Sequence, residues 1–317
     1  MPHPFRFGVQ LHQPPADRWA ERALRIEALG YSTIFFPDHF GSQWDPTTGM
    51  TAMAAITERL NVGALVYDVD YRHPVIYAKS AATLQLLSGG RHEFGLGAGW
   101  MQSDYDQAGL SYDSPGTRIE RLDEALQIIR SMWVNEKTSF EGKHYQIRDI
   151  ARAVPLPEGA KPPRVLVGGG GKRLLGVAAR HADIIGINPS LHEGRVGPGT
   201  AADLAPERVQ EKIRWVHEAA DRAGRDITRI ELNSLVFAVA ITDTPQGFRE
   251  ALARNTGMSV EQITDCPLFL TGSAAEIRDR LEKRRESLGQ SYIVIQGDDE
   301  KVVERFAEHV VAPLAGH

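Results

Sequence analysis

The chain has 317 residues, of which 42% are hydrophobic and 24% charged, and this balance excludes a disordered or collagen-like protein. A formal net charge of −5, with no run of clustered Lys and Arg, gives no basis for binding nucleic acid or a membrane surface. The single cysteine, Cys266, excludes an intramolecular disulfide and a cysteine-based metal cluster within one chain.

The N-terminal sequence MPHPFRFGVQ lacks the basic start, apolar middle and cleavage site of a secretory signal. No apolar stretch of the sequence approaches the length of about 18 residues from which a membrane-spanning helix is inferred. We therefore expect a cytoplasmic protein.

Short apolar segments rich in β-branched and aromatic residues alternate along the chain with longer segments of helical periodicity. This alternation is typical of βα units that build a parallel sheet. Eight strands are predicted, at residues 5–10, 33–36, 60–67, 92–96, 164–167, 183–187, 231–240 and 292–296. Helices are predicted at residues 17–29, 74–87, 118–133, 173–180, 206–223 and 274–288. Because such barrels commonly exceed about 200 residues as one domain, the pattern predicts a single (β/α)8 TIM barrel over residues 1–317.

Three stretches of the sequence do not fit a minimal barrel. Residues 138–163 contain a candidate hairpin, SFEGKHYQI, and a proline-rich connection. Residues 189–206 are a Gly/Pro-rich loop after the sixth strand, and residues 244–267 are an irregular stretch after the seventh. Insertions after strands lie on the face where barrel active sites are built, so we expect these stretches on the binding side.

The segment GGGGKR, residues 168–173, ends the fifth strand and opens a helix. Glycines let backbone amides approach an anion, and the helix N-terminus adds partial positive charge. The segment is not a P-loop, because Leu166 and Arg173 stand where that motif requires Gly and Ser or Thr. A tight packing turn is the alternative to a phosphate site, whose candidate residues are Gly168, Gly169, Gly170, Gly171 and Lys172.

The run GLGAGW at the end of the fourth strand is a weak dinucleotide fingerprint, because its third glycine and an acidic ribose partner are missing. Glycines at a strand end also remove the side chains that would block a flat heterocycle. We therefore predict that a planar ring lies against Gly97, Ala98, Gly99 and Trp100.

His39 follows the second strand and is preceded by Asp38. At a barrel mouth this imidazole can act as a general acid, donate a hydrogen bond to a reduced ring, or anchor a substrate, with Asp38 orienting it. The alternative is a structural histidine paired with Asp38. Trp44, in the same loop, is a candidate pocket wall or a tryptophan that packs on its own loop.

A dense polar cluster, from Asp68 to His73, follows the third strand, and Asn188 follows the sixth. Such residues at a barrel mouth commonly bind a polar ligand, so Asp68 and Asn188 are candidate substrate contacts, although some of the cluster will form ion pairs. A metal site is a rival reading, but the sequence has no HxH pair and no HExxH helix. Asp104 and Tyr105 either cap a helix or touch the ligand.

Several motifs in order resemble the luciferase-like monooxygenase superfamily, over residues 5–303. They are DHF after the second strand, GALVYDVDYRHPVIYAKSAATLQLLSGGR across the third, FGLGAGW, VLVGGGGKRLLGVAARHADIIGIN and TGSAAEIRDRL. DHF with Trp44, together with the GGGG segment, is most similar to the branch that uses the deazaflavin coenzyme F420. The resemblance implies a TIM barrel of the bacterial luciferase type with insertions after its strands.

The resemblance also implies where the cofactor binds. Its ring would lie against the second to fourth strands, at Leu65, Val66 and Tyr67, with a non-proline cis peptide at Leu65–Val66. Its phosphate would lie near the glycine-rich start of the helix after the fifth strand. The F420 branch places a catalytic Glu where Trp100 stands, so its proton-transfer scheme does not carry over.

Three functions follow as hypotheses. The first is hydride transfer between F420 and a small organic substrate, reducing a C=C, C=N or C=O group, with His39 as the proton donor or ring partner. The second is an FMN-dependent monooxygenase that uses reduced flavin and oxygen. The third is a cofactor-binding barrel without catalysis. The resemblance further implies a homodimer.

Overall fold

The computed structural model describes residues 3–190 and 198–317 of the chain. Within them the strands are β1 (Arg6–Gln10), β2 (Thr33–Phe36), β3 (Asn61–Ala64), β4 (Tyr67–Asp68), β5 (His92–Gly97), β6 (Lys137–Glu141), β7 (Gln146–Ala151), β8 (Arg164–Gly169), β9 (Ile184–Ile187), β10 (Glu231–Val236), β11 (Ala238–Ile241), β12 (Phe269–Gly272) and β13 (Gln290–Gln296). Parallel pairing runs in the order β3, β2, β1, β13, β10, β9, β8 and β5, and a pairing of β3 with β5 closes the barrel. The predicted TIM barrel is confirmed.

Helices surround this barrel. They are α1 (Trp19–Ala28), α2 (Pro46–Ile56), α3 (Pro74–Leu87), α4 (Gln102–Ala108), α5 (Pro115–Val134), α6 (Lys172–His181), α7 (Pro198–Ala202), α8 (Pro206–Arg222), α9 (Gln246–Thr256), α10 (Val260–Asp265), α11 (Ala274–Leu288), α12 (Glu300–Phe306) and α13 (Ala312–Leu314). The six predicted helices are present. Two have the predicted bounds, 74–87 and 274–288, and the other four have shifted ends. Among the described residues, no helix is both long and apolar enough to cross a membrane.

Helix α2 is absent from the sequence prediction. Three threonines and a glycine, all poor helix formers, weaken its periodic signal. Its start is nevertheless marked, because the Asp45 side chain accepts a hydrogen bond from the backbone N–H of Thr48 at 2.8 Å and Pro46 occupies the first turn. An Asp-Pro pair of this kind is a helix-start signal that periodicity alone overlooks.

The third predicted strand is interrupted. β3 ends at Ala64, the Leu65–Val66 peptide is cis, and β4 resumes at Tyr67 to pair with the end of β5. The cis peptide implied by the family resemblance is therefore confirmed, and the prediction of one continuous strand is wrong.

The seventh predicted strand is also divided. β10 remains in the barrel, but the backbone N–H of Phe237 donates to the carbonyl of Leu268 at 2.8 Å. β11 then pairs in parallel with β12 outside the barrel. The stretch 244–267, predicted to be irregular, contains α9 and α10, and α10 begins with a capping box of Ser259 and Gln262.

The predictions for the other two insertions, residues 138–163 and 189–206, agree with the structure to different extents. The predicted hairpin is confirmed, because β6 and β7 pair in antiparallel fashion. The loop predicted at residues 189–206 contains α7, and its residues 191–197 lie outside the described residues.

Charged side chains hold the amino-terminal end of the barrel together. Arg6 reaches Glu93 at 2.6 Å and Glu231 at 3.0 Å, and its guanidinium lies 4.0 Å from the ring centroid of Tyr292. Above this layer, buried apolar side chains from several strands fill the interior, among them Phe35, Leu166, Ile184 and Val294. Residues at this end of a barrel stabilise it, which leaves the carboxyl ends of the strands for function.

Candidate active site

The predicted site residues lie at the carboxyl ends of the barrel strands. Asp38 and His39 follow β2, Asp68 ends β4, Trp100 follows β5 and Asn188 follows β9. The carboxyl ends of parallel strands meet on one face of the barrel, so these residues share that face.

His39 is held by a carboxylate from another element. Its Nδ1 lies 2.6 Å from Oδ2 of Asp104, on α4, and its ring meets the Trp100 ring edge-on, with the centroids 5.7 Å apart. A carboxylate accepts only, so Nδ1 carries the hydrogen and donates it. The imidazole is partly exposed, and within residues 3–190 and 198–317 its Nε2 has no hydrogen-bond partner.

The expected pairing of Asp38 with His39 is wrong. The Asp38 carboxylate is buried and turns to Arg72, whose Nη1 donates to Oδ2 at 2.9 Å, and it also accepts the backbone N–H of Asp68 at 3.2 Å. Burial raises the pKa of Asp38, and the charge of Arg72 opposes that rise. Asp38 therefore fixes the loop beside His39 and leaves the imidazole to Asp104.

Asp104 is the partner that sequence reasoning did not assign. Met101 is the N-cap of α4 and no side chain caps the helix, so Asp104 has no capping role. Its Oδ2 accepts from His39 and from the hydroxyl of Tyr71, at 3.2 Å. An acidic residue three places inside a helix that starts just after a strand is the only local signal for this role.

Tyr105, next to Asp104, lies between two carboxyl groups. Its hydroxyl oxygen is 2.8 Å from Oδ2 of Asp68 and 2.9 Å from Oδ2 of Asp70. Asp70 also forms an ion pair with Arg121, at 2.8 Å from Nε to Oδ1. Burial raises the pKa of Asp68 to about 7, against the lowering effect of hydrogen bonds from the Asp70 backbone and Tyr105.

The glycines after β5 allow close packing. A Cβ on Gly97 would lie 2.7 Å from Cγ2 of Val66. Gly99 has a φ of +69°, and a Cβ there would lie 2.0 Å from the Tyr105 hydroxyl and 2.4 Å from Oδ2 of Asp68. These glycines thus serve the protein's own packing; that they also face a planar ring stays a prediction.

Residues 65–67 divide between two environments. Leu65 and Val66 join the apolar cluster inside the barrel, and the Leu65 carbonyl accepts from Nε2 of Gln10 at 2.7 Å. The Tyr67 ring packs against Tyr77 and Phe94, and its hydroxyl contacts the Thr47 side chain at 2.6 Å. Leu65 and Val66 are therefore better placed than Tyr67 to face a ligand in the barrel mouth.

Trp44 packs against β2 and the loop that follows β1. Its ring is stacked on Phe36 with the centroids 6.5 Å apart, and its backbone N–H donates to the carbonyl of His12 at 3.1 Å. The residue is partly buried. These contacts are with β2 and the loop after β1, and not with its own loop as the alternative predicted; a role of Trp44 as a pocket wall stays a prediction.

The glycine-rich segment ends β8 and leads into α6. Gly171 is the N-cap, and no side chain caps this helix, so its first backbone N–H groups are not satisfied by a side-chain cap. A Cβ on Gly170 would lie 2.4 Å from the carbonyl oxygen of Asn188. Lys172 and Arg173 are exposed at the same helix start.

Asn188 is fixed against this segment. Its backbone N–H donates to Gly169, and its Nδ2 lies 2.9 Å from the position of a Cβ on Gly168. Its carbonyl accepts from the buried Nζ of Lys212 at 2.9 Å, which also reaches Asp203 at 2.6 Å. Asn188 thus orders the turn beside the helix N-terminus; a substrate contact through its side chain stays a prediction.

The fold and the position of these residues define a (β/α)8 barrel with its functional face at the carboxyl ends of the strands. The sequence profile of the family described as luciferase-like monooxygenase matches residues 1–314, and the chain belongs to this family. Across the part of the chain that the structure describes, no three His, Cys, Asp or Glu residues are grouped as metal ligands.

Curated relatives include enzymes of two kinds. The pyrimidine monooxygenase RutA of Enterobacter cloacae subsp. cloacae is 30% identical over 231 residues, which cover 71% of this chain and 56% of the relative. The F420-dependent glucose-6-phosphate dehydrogenase of Amycolatopsis mediterranei is 28% identical over 218 residues, which cover 66% of this chain and 62% of the relative. The chain therefore spans less than two thirds of the length of either relative.

Solved structures show the same two kinds of protein. An F420-dependent tetrahydromethanopterin reductase from Methanopyrus kandleri has a TM-score of 0.76 at 17% identity, covering 98% of this chain and 99% of that one. A long-chain alkane monooxygenase has a TM-score of 0.77 at 16% identity, covering 99% and 92%. These likenesses establish the fold. The family contains both F420-dependent oxidoreductases and monooxygenases.

Proposed function

We propose that the chain is an F420-dependent oxidoreductase that transfers a hydride between the deazaflavin and a small organic substrate. The reaction is the reduction of a C=C, C=N or C=O group. The observation that carries the proposal is the imidazole of His39, which is held at Nδ1 by Asp104 and leaves Nε2 open at the barrel mouth. F420-dependent enzymes among the relatives support the choice of cofactor.

The residues present fit a phosphorylated flavin-type cofactor. The start of α6 lacks a side-chain cap and carries Lys172, so its backbone N–H groups and positive charge suit a phosphate. Leu65, Val66 and the segment 97–100 would hold the ring, which the apolar interior below them keeps away from water. Asn188 would keep the glycine-rich turn in place through its bond to Gly169.

A bound deazaflavin supplies the hydride as an electron pair, because it has carbon where a flavin has N5. The protein's part is to orient the reactants and to manage one proton. With its hydrogen at Nδ1 donated to Asp104, His39 uses Nε2 to supply or accept that proton. Trp100, edge-on to the imidazole, restricts its movement and excludes water from one side.

The first experiment is an equilibrium titration of the purified protein with F420 and, separately, with FMN, followed by cofactor absorbance and fluorescence. We expect F420 to bind. Lys172→Ala should weaken binding, whereas Lys283→Ala, a matched change at an exposed lysine of α11, should leave it unchanged. Tight FMN binding together with no F420 binding would contradict the proposal.

The second experiment tests turnover. Oxidation of reduced F420 is followed in the presence of a panel of enones, imines and aldehydes. At least one substrate class should accelerate oxidation, and cofactor binding without any acceleration would favour a barrel that binds the cofactor without catalysis.

An FMN-dependent monooxygenase is the second candidate function. The likeness to RutA, at 30% identity over 231 residues, favours it. Oxygen consumption dependent on reduced FMN separates it from the first candidate, because a deazaflavin does not readily activate oxygen. That the chain forms a homodimer and that it acts on a small-molecule substrate stay predictions. Sedimentation measures the oligomeric state.

A further inference from the structure

The hydroxyl of Tyr105 lies within hydrogen-bond distance of two carboxyl groups, at 2.8 Å from Asp68 and 2.9 Å from Asp70. A phenol has one proton and donates it to one oxygen at a time. If both carboxyls were ionised, one of the two contacts would join lone pairs with no hydrogen between them. Such a contact is costly for buried groups. The three oxygens therefore require a second proton.

The surroundings of the two carboxyls decide which one carries it. Both oxygens of Asp70 contact Arg121, with Nε at 2.8 Å and Nη2 at 3.0 Å, so Asp70 is held in the ionised form. Asp68 is buried and has no ion pair with a cation within residues 3–190 and 198–317. Its Oδ1 accepts the backbone N–H of Asp70 at 2.9 Å, which leaves Oδ2 as the atom that faces Tyr105.

We propose that Asp68 keeps its proton at pH values where an ordinary aspartate is ionised, and that it acts as a positioning residue for His39. Neutral Asp68 donates to Tyr105, and Tyr105 donates to Asp70. These bonds attach α4 to the end of β4, and α4 carries Asp104 to the imidazole. The catalytic consequence rests on the proposed function, whereas the proton on Asp68 does not.

Close packing around Gly99 supports this arrangement. Its positive φ and missing side chain leave the space in which the Tyr105 hydroxyl and Oδ2 of Asp68 meet. A side chain of any size would separate them. The local structure is thus built around that contact.

The surroundings of Asp68 both raise and lower its pKa. Burial and the charges of Asp70 and Asp38 raise its pKa to about 7, and hydrogen bonds from the Asp70 backbone and Tyr105 lower it. Each charged neighbour has its own cation, Arg72 for Asp38 and Arg121 for Asp70. The remaining titratable neighbours are three tyrosines. The hydroxyl of Tyr77 donates to the Asp68 carbonyl at 2.5 Å, and Tyr71 and Tyr145 interact electrostatically with the Asp68 carboxyl group.

Ionisation of Asp68 has a direct structural consequence. Above a pH of about 7, two carboxylates compete for the one proton of Tyr105, so one contact becomes repulsive. The attachment of α4 to β4 weakens, and with it the placing of Asp104 beside His39.

The first test locates the proton on the native protein. Aspartate labelled with 13C at the carboxyl carbon is titrated by NMR without cofactor, and Asp68→Asn assigns the resonance. We expect a midpoint near 7, as the pKa of about 7 requires. A midpoint near the ordinary aspartate value of about 4 would overturn the proposal.

A second variant keeps this test decisive if Asp68→Asn does not fold. Asp70→Asn removes the neighbouring negative charge and leaves Arg121 paired with Asp113. The highest aspartate midpoint of the wild type should then shift downward. No shift would show that the titrating carboxyl does not face Asp70.

The third test reads the effect on His39 through the NMR signal of its Nδ1–H proton. Asp68→Asn is the matched variant, because its amide is neutral and still donates to Tyr105. The wild type should lose the signal as pH passes about 7, and Asp68→Asn should keep it to higher pH. Tyr105→Phe should lose it already below pH 7. Loss at the same pH in the wild type and Asp68→Asn would refute a positioning role.

None of these readouts uses a cofactor. A failure to bind F420 would therefore defeat the proposed function and leave the assignment of the proton intact. Conversely, an ordinary midpoint for Asp68 would defeat this inference alone.

Discussion

The Nδ1 atom of His39 lies 2.6 Å from Oδ2 of Asp104, although 65 positions separate the two residues in the chain. One follows β2 and the other lies in α4 after β5, so the barrel brings them together. The contact determines which ring nitrogen carries the hydrogen, and in the described part of the chain the other nitrogen has no hydrogen-bond partner.

His39→Ala should lower the rate of substrate-dependent F420 oxidation by about 10²–10⁴-fold, the usual contribution of a positioned proton donor. The control is His181→Ala, which removes a similar pair, His181 with Asp123 at 2.7 Å, between two outer helices. Steady-state kinetics measures both. Unchanged turnover and cofactor affinity in His39→Ala would show that His39 is structural.

Gly99→Ala should destabilise the protein by about 3 kcal/mol, because an L side chain at a positive φ is strained and its Cβ overlaps Tyr105 and Asp68. Gly109→Ala separates the two causes. Gly109 has the same φ of +69° with nothing within 4 Å of the added Cβ, so it should cost only about 1 kcal/mol. Urea unfolding measures the free energy of unfolding of both variants. Equal destabilisation would show that the structure relieves the overlap at position 99 at no cost in stability.

Glu93→Gln should lower the free energy of unfolding by about 3 kcal/mol, because it removes one charge from a buried network and leaves Arg6 less well paired. Glu304→Gln breaks an exposed pair with Arg25 and should cost less than about 1 kcal/mol. Cofactor affinity should not change in Glu93→Gln, because the network lies at the opposite end of the barrel. A cost for Glu93→Gln as small as that for Glu304→Gln would show that the network contributes little.

His92 should make stability fall as the pH is lowered. Burial lowers its pKa to about 4, so the folded state favours the neutral ring. The stability that the folded protein gains from neutral His92 is complete above the ordinary pKa of about 6.5. It is lost as the pH falls towards 4, and the loss in the free energy of unfolding is roughly 3 kcal/mol. In His92→Gln, unfolding free energies measured from pH 7 to 4 should fall less steeply than in the wild type. His217→Gln, an exposed control, should follow the wild type.

The sequence predicts features that depend on local pattern. The alternation of strands and helices, the hairpin of β6 and β7 and the glycine-rich start of α6 all have signals within a few residues. The cis peptide at Leu65–Val66 is predicted through family resemblance and is confirmed.

Contacts between distant segments could not be predicted in this way. Asp38 is the sequence neighbour of His39, yet its carboxylate pairs with Arg72, because rotation about the backbone turns adjacent side chains in different directions. Asp104 reaches His39 only because a short connection, residues 98–101, joins the end of β5 to α4. The bend at Phe237 likewise depends on its bond to Leu268, which no local pattern encodes.

The pairing of β11 with β12 is parallel, and this limits how the chain between them can change. Two residues can close an antiparallel hairpin, but a parallel pair needs a crossover of about a dozen residues or more. The segment that carries α9 and α10 therefore cannot be shortened to a turn while both strands remain. Redesign of this insertion is constrained in length, and at Ile263 and Cys266, which are buried in the core, also in composition.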